Sequence, residues 1–208
     1  MQIQALCHDM GTGIAIAKGN IELLLEEEKD EDKKSAMEDI LYAINELEKE
    51  SQFLLTMEKE KLEEIEVEEF FREIKKVFFS AGKLSKKELV WKMEIDSKSR
   101  ILGDRDLLRR AFLNLIQNSL EYSRSIVQVS IFEEEELKIY IKDDGPGFSP
   151  EALKRGLSLF FTEDKSRSGS HKGIGLYMAK KAICLSKGKI FLENKEGALV
   201  SINIPKIS

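Results

Sequence analysis

Four stretches of this 208-residue chain combine residue types at spacings that can do chemistry. The first is HDMGTG, His8 to Gly13, in which an imidazole stands beside the carboxylate of Asp9. On a helix Thr12 shares the face of His8, whereas Asp9 is turned about 100° away and reaches the ring from the side. A neutral imidazole is a nucleophile and a proton carrier, and a neighbouring carboxylate fixes its tautomer. The second is the pair Asn114 and Asn118, two amides four residues apart on one helical face. The third is DDGPGF, Asp143 to Phe148. There Gly145 and Gly147 allow a sharp turn and close approach to a ligand, and a buried Asp143 can accept a hydrogen bond from an adenine amino group. An ordinary β-turn would also account for the two glycines. The fourth is HKGIGL, His171 to Leu176, where Gly173 and Gly175 lead into a helix whose free amides can hold phosphates.

These groups need elements to carry them, and the hydrophobic pattern supplies a plan. Leu6, Met10, Gly13, Ala17, Ile21 and Leu24 recur every three or four residues, which predicts an amphipathic helix with that stripe buried and His8 off it. The charge run from Glu26 to Lys34 is expected to be a solvated turn. Ser35 with Glu38 fits a capping box, so a second helix is expected to start there, with a seam through Met37, Ile40 or Leu41, Ile44, Leu47, Ser51, Leu54 or Leu55, Glu58 and Leu62 that weakens near its end. Two helices cannot enclose a core alone; pairing two such hairpins as a symmetric dimer gives a four-helix bundle, the alternative being that the hairpin packs on the rest of its own chain.

From about Ile65 the pattern changes to shorter segments rich in aromatic and β-branched residues, which marks a boundary between Glu60 and Val67. Val67 to Phe79 reads as a helix led in by a short strand, and Glu88 to Ile95 as a half-buried strand. Asp104 is a good N-cap for a helix from Arg105 to Tyr122. Ile126 to Phe132 and Leu137 to Ile141 read as a hairpin around an acidic turn. Ser149, Pro150 and Glu151 open a short helix, and Gly156 to Ser170 is a flap-like loop. The fold class is therefore α+β, a helical hairpin followed by a unit of α/β character.

Composition narrows the function classes. A net charge of −5 argues against nucleic acid as a partner. No apolar run approaches the roughly 20 residues that span a bilayer, and the N-terminus lacks signal-peptide regions, so the chain is expected to be cytoplasmic without membrane contact of its own. Cys7 and Cys184 stand alone and imply neither disulfide nor zinc. GxxxxGK[ST] does not occur, nor does a Gly-rich turn follow the first strand, which excludes a P-loop and an ordinary dinucleotide fold.

Taken in order, the motifs resemble the catalytic core of a sensor histidine kinase over nearly the whole chain. NLIQNSLEYS from Asn114 is similar to that family's N box, DDGPGF to its first glycine box, FFTEDK from Phe160 to its F box and HKGIGL to its second glycine box. HDMGTG sits where the phosphoacceptor box belongs. The resemblance implies a dimerisation and phosphotransfer hairpin at residues 1–64 and an ATP-binding α/β sandwich, the Bergerat-type fold also used by DNA gyrase, at residues 65–208.

It further implies ATP and Mg2+ as cofactors, with Asn118 on the metal and Asn114 near the phosphates. Asp143 would read adenine, Gly145, Gly147, Gly173, Gly175 and Leu176 would shape the pocket, Tyr122 would lie beside it, and Lys165 or Lys172 would meet the phosphates. His8 would take the phosphoryl group and pass it to an aspartate of a response regulator, with Asp9 orienting its ring. Thr12 stands where one branch of the family positions a water for the reverse, phosphatase reaction. The chain departs from the family pattern at Gly11 and Gly13, at Glu121, where a basic residue is frequent, and at His171, which replaces a glycine. A dimeric docking or phosphorelay scaffold with a vestigial nucleotide pocket is the alternative, and an ATPase or serine kinase on the same fold a third. The short lead before His8 suggests a piece of a longer protein, with a membrane anchor left open.

Overall fold

The computed structural model describes residues 2–56, 61–84, 87–159, 161 and 174–207. They divide into two compact units that meet in sequence between Glu60 and Lys61. Among the described residues no helix is long and apolar enough to cross a membrane.

The first unit is a helical hairpin of α1 (Gln2–Glu27) and α2 (Glu31–Thr56). The turn between them is only residues 28–30, shorter than the charge run suggested, and α2 begins at Glu31 rather than at Ser35. The reason lies in Asp30, whose carboxylate accepts from the amides of Asp32 (3.1 Å) and Lys33 (3.3 Å) and so caps the helix earlier than the Ser35 box would. The stripe expected to be buried on α1 is also displaced. Ile14 is buried and Lys18, Ile21 and Leu25 are partly covered, but Leu24 is 51% exposed. Lys18 donates to Glu48 at 3.0 Å across the hairpin, so this seam is partly polar. The apolar residues left outside include Ile16 (61% exposed) and Leu23 (65%).

The second unit is a sheet packed on helices. Its elements are β1 (Glu63–Glu66), α3 (Val67–Leu84), β2 (Glu88–Glu94), β3 (Arg100–Gly103), α4 (Arg105–Tyr122), β4 (Ile126–Glu133), β5 (Glu136–Asp143), α5 (Pro150–Arg155), α6 (Gly175–Leu185), β6 (Lys189–Asn194) and β7 (Ala198–Ile207). The strand order is β1-β3-β7-β5-β4-β2, with β6 also paired to β7. All pairs are antiparallel except β2 with β4, so the sheet is mixed. Strand β7 organises it. One edge of β7 pairs with β5 from Leu199 to Pro205, while the other takes β6 and then β3. The sequence pattern did not single out β3, β6 or β7.

Burial strictly alternates along β5, with Leu137, Ile139, Ile141 and Asp143 inward. The same face carries Val127, Val129 and Ile131 of β4 and Val200, Ile202 and Ile204 of β7, and the helices cover it. Strand β2 does not show the clean alternation expected, because it is an edge strand whose last three residues are exposed. Phe70, Phe71 and Phe112 meet edge to face, with centroids 4.9 to 6.0 Å apart, and lock α3 to α4.

Candidate functional site

Helix α4 carries the first half of the site, and both of its ends are fixed by side chains. Asp104 caps the start by accepting from Leu107 N at 3.0 Å. At the end, the Lys87 ammonium donates to the carbonyls of Leu120 (2.6 Å), Glu121 (3.1 Å) and Ser123 (2.8 Å), a cation at the negative pole of the helix. Leu107, Leu108, Ala111, Phe112, Leu115 and Ile116 bury one side, which leaves Asn114 and Asn118 half-buried on another. The Asn114 Nδ2 is buried and has no hydrogen-bond partner among the described residues. Gly175, at the start of α6, abuts it so closely that a Cβ there would lie 2.5 Å from the Asn114 amide atoms. Ile174, at the N-cap of α6, makes no capping hydrogen bond through its side chain, so the first-turn amides that follow, Leu176 included, are not met by one.

The end of β5 carries the second half. Asp143 is 4% exposed, and its Oδ1 accepts from the amides of Gly145 (2.9 Å) and Ala198 (3.2 Å). Burial pushes its pKa above the ordinary carboxylate value, while those amides and the Ser119 hydroxyl pull the other way. Both amides fall on Oδ1, and the Ser119 hydroxyl adds a further hydrogen bond to the carboxylate. Gly145 presses against α4's last residue, since a Cβ on it would lie 2.4 Å from the Tyr122 carbonyl oxygen. The Tyr122 backbone thus lies beside the turn, with its side chain 46% exposed. Gly147 has φ +80 and sits against Asn194.

Three residues that sequence reasoning missed hold this turn. Asn194 clamps it in both directions, its Oδ1 accepting from Phe148 N (2.7 Å) and its Nδ2 donating to Phe148 O (2.8 Å). Gly197 has φ +136, and a Cβ there would fall 1.9 Å from the Asp143 carbonyl oxygen. Asp144 accepts from the amides of Arg124, Ser125 and Ile126. The DD pair signalled only one of the two carboxylate roles, and Asn194 and Gly197 had no signal short of knowing that β6 and β7 pair.

Other expected site residues are less fully placed. His8, Asp9 and Thr12 lie on α1, with Thr12 exposed, but the side chains of His8 and Asp9 lie outside the described residues. Lys165, Lys172 and Gly173 lie outside them altogether, as do Phe160 and His171. Within the second unit the structure brings Gly175 against Asn114, and Gly145 against Asp143 and the Tyr122 carbonyl with Gly147 two residues on, while Asn118 and Leu176 lie on the same two helices, α4 and α6.

Residues 103–208 match the family described as histidine kinase-, DNA gyrase B-, and HSP90-like ATPase. The sensor histidine kinase SpaK of Bacillus subtilis is 36% identical over 217 residues, covering 98% of this chain and 47% of that protein. The nisin biosynthesis sensor protein NisK of Lactococcus lactis subsp. lactis is 32% identical over 219 residues, covering 99% and 48%. The chain therefore spans about half the length of the curated relatives it matches. Among solved structures, full-length ShkA in complex with AMPPNP superposes with a TM-score of 0.71 at 18% identity, over 100% of this chain and 46% of that one. With residues 103–208 matching that family model and nearly the whole chain similar to sensor histidine kinases, the chain belongs to the histidine kinase-, DNA gyrase B- and HSP90-like ATPase family as a sensor histidine kinase core.

Proposed function

We propose that this chain is the ATP-dependent phosphotransfer core of a sensor kinase, phosphorylating itself on His8 and passing the phosphoryl group to an aspartate of a response regulator. The observation that carries the reading is Asp143, a carboxylate 4% exposed whose pKa burial pushes above the ordinary value, at the head of a turn clamped from three sides. A vestigial pocket has no need of that arrangement, which disfavours the scaffold alternative.

Asp143 accepts a hydrogen bond from the adenine amino group, and Ser119 steadies the carboxylate. The orphaned Asn114 amide donates to phosphate oxygens, as do the first-turn amides of α6, where a helix start favours anions. Lys165 and Lys172 are proposed to add positive charge there. Among the described residues no three His, Cys, Asp or Glu side chains gather to cage a metal. The residues present therefore fit Mg2+ held by one protein oxygen, that of Asn118, together with phosphates and waters. When bound, the ion neutralises charge on the phosphates. His8 attacks the γ-phosphorus through its unprotonated ring nitrogen, forming an N–P bond as the bond to the leaving oxygen of ADP breaks. Asp9 accepts from the other ring nitrogen and holds the tautomer. Positioning and charge neutralisation account for most of the catalysis.

Residues 1–64 are proposed as the dimerisation and phosphotransfer hairpin and residues 65–208 as the ATP-binding domain. The apolar side chains left outside the hairpin, among them Ile16 and Leu23, support pairing of two hairpins into a four-helix bundle. Thr12, exposed on the face of His8, is proposed to orient a water for dephosphorylation of the regulator. The test is incubation with γ-labelled ATP and magnesium. The expected label is acid-labile, alkali-stable and lost in His8→Ala; label that survives acid, or persists without His8, overturns the proposal.

A further inference from the structure

The two aspartates that open the glycine turn point in opposite directions and do different work. Asp143 turns into the site, whereas the Asp144 carboxylate gathers the connection between α4 and β4. Its Oδ1 accepts from Arg124 N (2.8 Å), Ser125 N (3.0 Å) and Ile126 N (3.2 Å), and its Oδ2 accepts from Ser125 N (3.0 Å) and Ser125 Oγ (2.5 Å). In addition, Asp144 N donates to Ile126 O at 3.3 Å, so backbone and side chain grip the same short segment. Three consecutive amides converging on one anion form a strong, charge-assisted set. They hold the carboxyl of Asp144 far below the ordinary carboxylate range, with the Ser125 hydroxyl the largest cause.

The gripped segment begins two residues after Tyr122, the last residue of α4, whose carbonyl already touches Gly145. The other side of that connection is pinned by Lys87 on the carbonyls of Leu120, Glu121 and Ser123. An ammonium thus takes the spare acceptors where the helix ends, and Asp144 takes the spare donors where the next strand begins. Between them they set how far Asp143 lies from the helix that carries Asn114 and Asn118. Adenine is read at one end of that distance and phosphates at the other.

We propose that Asp144 is a positioning residue for nucleotide recognition, which without touching the nucleotide fixes the distance between Asp143 and the asparagine face of α4. This rests on the nucleotide-binding role proposed above and adds a residue to it. A shift of Asp143 by a fraction of an ångström misaligns a hydrogen bond that distinguishes an adenine amino group from a guanine carbonyl, and misaligned bonds weaken steeply. The clamp is therefore expected to govern base selectivity more than phosphate affinity.

The experiment measures dissociation constants for ATP and GTP, well below the unfolding temperature, in the parent chain, in Asp144→Asn, in the milder Ser125→Ala, and in Glu133→Gln. The last removes an anion that accepts from Asp96 N and Lys206 at the far end of the same strand pair, so it reports loss of stability alone. Asp144→Asn is expected to weaken ATP binding about tenfold, the effect of losing roughly one charge-assisted hydrogen bond, with GTP binding unchanged. Ser125→Ala is expected to move the same way by a smaller factor, and Glu133→Gln to lower the melting temperature without altering the ATP to GTP ratio. An unchanged ratio in Asp144→Asn, or an equal loss in Glu133→Gln, overturns the inference. If the parent chain binds neither nucleotide, the underlying nucleotide-binding reading fails instead.

Discussion

Replacing Asp143 by asparagine is expected to move stability and nucleotide binding in opposite directions. The asparagine carbonyl oxygen can take over both amides that Oδ1 now accepts, from Gly145 at 2.9 Å and Ala198 at 3.2 Å, so the turn keeps its bonds. What is lost is the buried charge. Burial raises the Asp143 pKa, so between the ordinary carboxylate value and the folded one the native state holds a proton that the unfolded chain has released. Stability therefore falls as pH rises through that window and stays lower at neutral pH. Asp143→Asn removes this penalty, so at neutral pH the variant melts no lower than its parent and by this reasoning higher. The advantage shrinks as pH falls towards the ordinary carboxylate range, where both states are protonated in the parent.

Binding runs the other way. A hydrogen bond to a charged acceptor is worth about 1.5–3 kcal/mol, and turning an amide nitrogen towards the adenine amino group leaves two donors unpaired at about 1–3 kcal/mol more. The lower ends sum to about 2.5 kcal/mol and the middle to about 4, which is on the order of 100-fold to 1,000-fold in the dissociation constant. Thermal unfolding at neutral and mildly acidic pH, set beside a calorimetric titration with ATP, reads both quantities. A variant that melts well below its parent and still binds ATP normally would show that Asp143 is a structural anchor and nothing more.

Three further outcomes follow from the same contacts. Lys87→Met strips a cation from three carbonyls at the end of α4, and an expected loss of about 1.5–3 kcal/mol should appear as a lower urea midpoint with an unchanged slope. Gly197→Ala forces a Cβ to within 1.9 Å of the Asp143 carbonyl oxygen at φ +136, so the β6–β7 turn must shift. The cost is about 1–3 kcal/mol of backbone strain before any clash, and ATP binding should weaken along with the melting temperature. Asn118→Ala should abolish the part of ATP affinity that depends on magnesium while leaving metal-free nucleotide binding intact, a comparison made by titration with and without chelator.

What could be read in the sequence was whatever is encoded within a few residues. Helix α4 runs from Arg105 to Tyr122 as expected because its cap at Asp104 and its apolar spacing lie inside the segment itself, and α5 begins at Pro150 because Ser149 accepts from Ala152 N at 3.0 Å. The start of α2 was misplaced because two local signals compete, and Asp30 comes first. Pairing partners distant in sequence left no such mark. β7 joins the sheet through β5, β6 and β3, and Pro205 near its end is a residue that ordinarily argues against an interior strand.

The site divides along the same line. Asp143, Asn114 and Asn118 stand out in the sequence as candidates because their side chains, and the glycines around them, are types a nucleotide pocket uses. The residues that hold them in register act across long separations: Ala198 on Asp143 over 55 positions, Asn194 on Phe148 over 46, and Asp144 on Arg124 over 20. No local pattern distinguishes such an asparagine or aspartate from one facing solvent. Substitution at these holding positions should therefore change affinity while every recognisable motif stays intact, so a chain of this family can keep all its boxes and still lose its nucleotide. The clamp residues belong beside the motifs when a nucleotide pocket of this kind is judged competent.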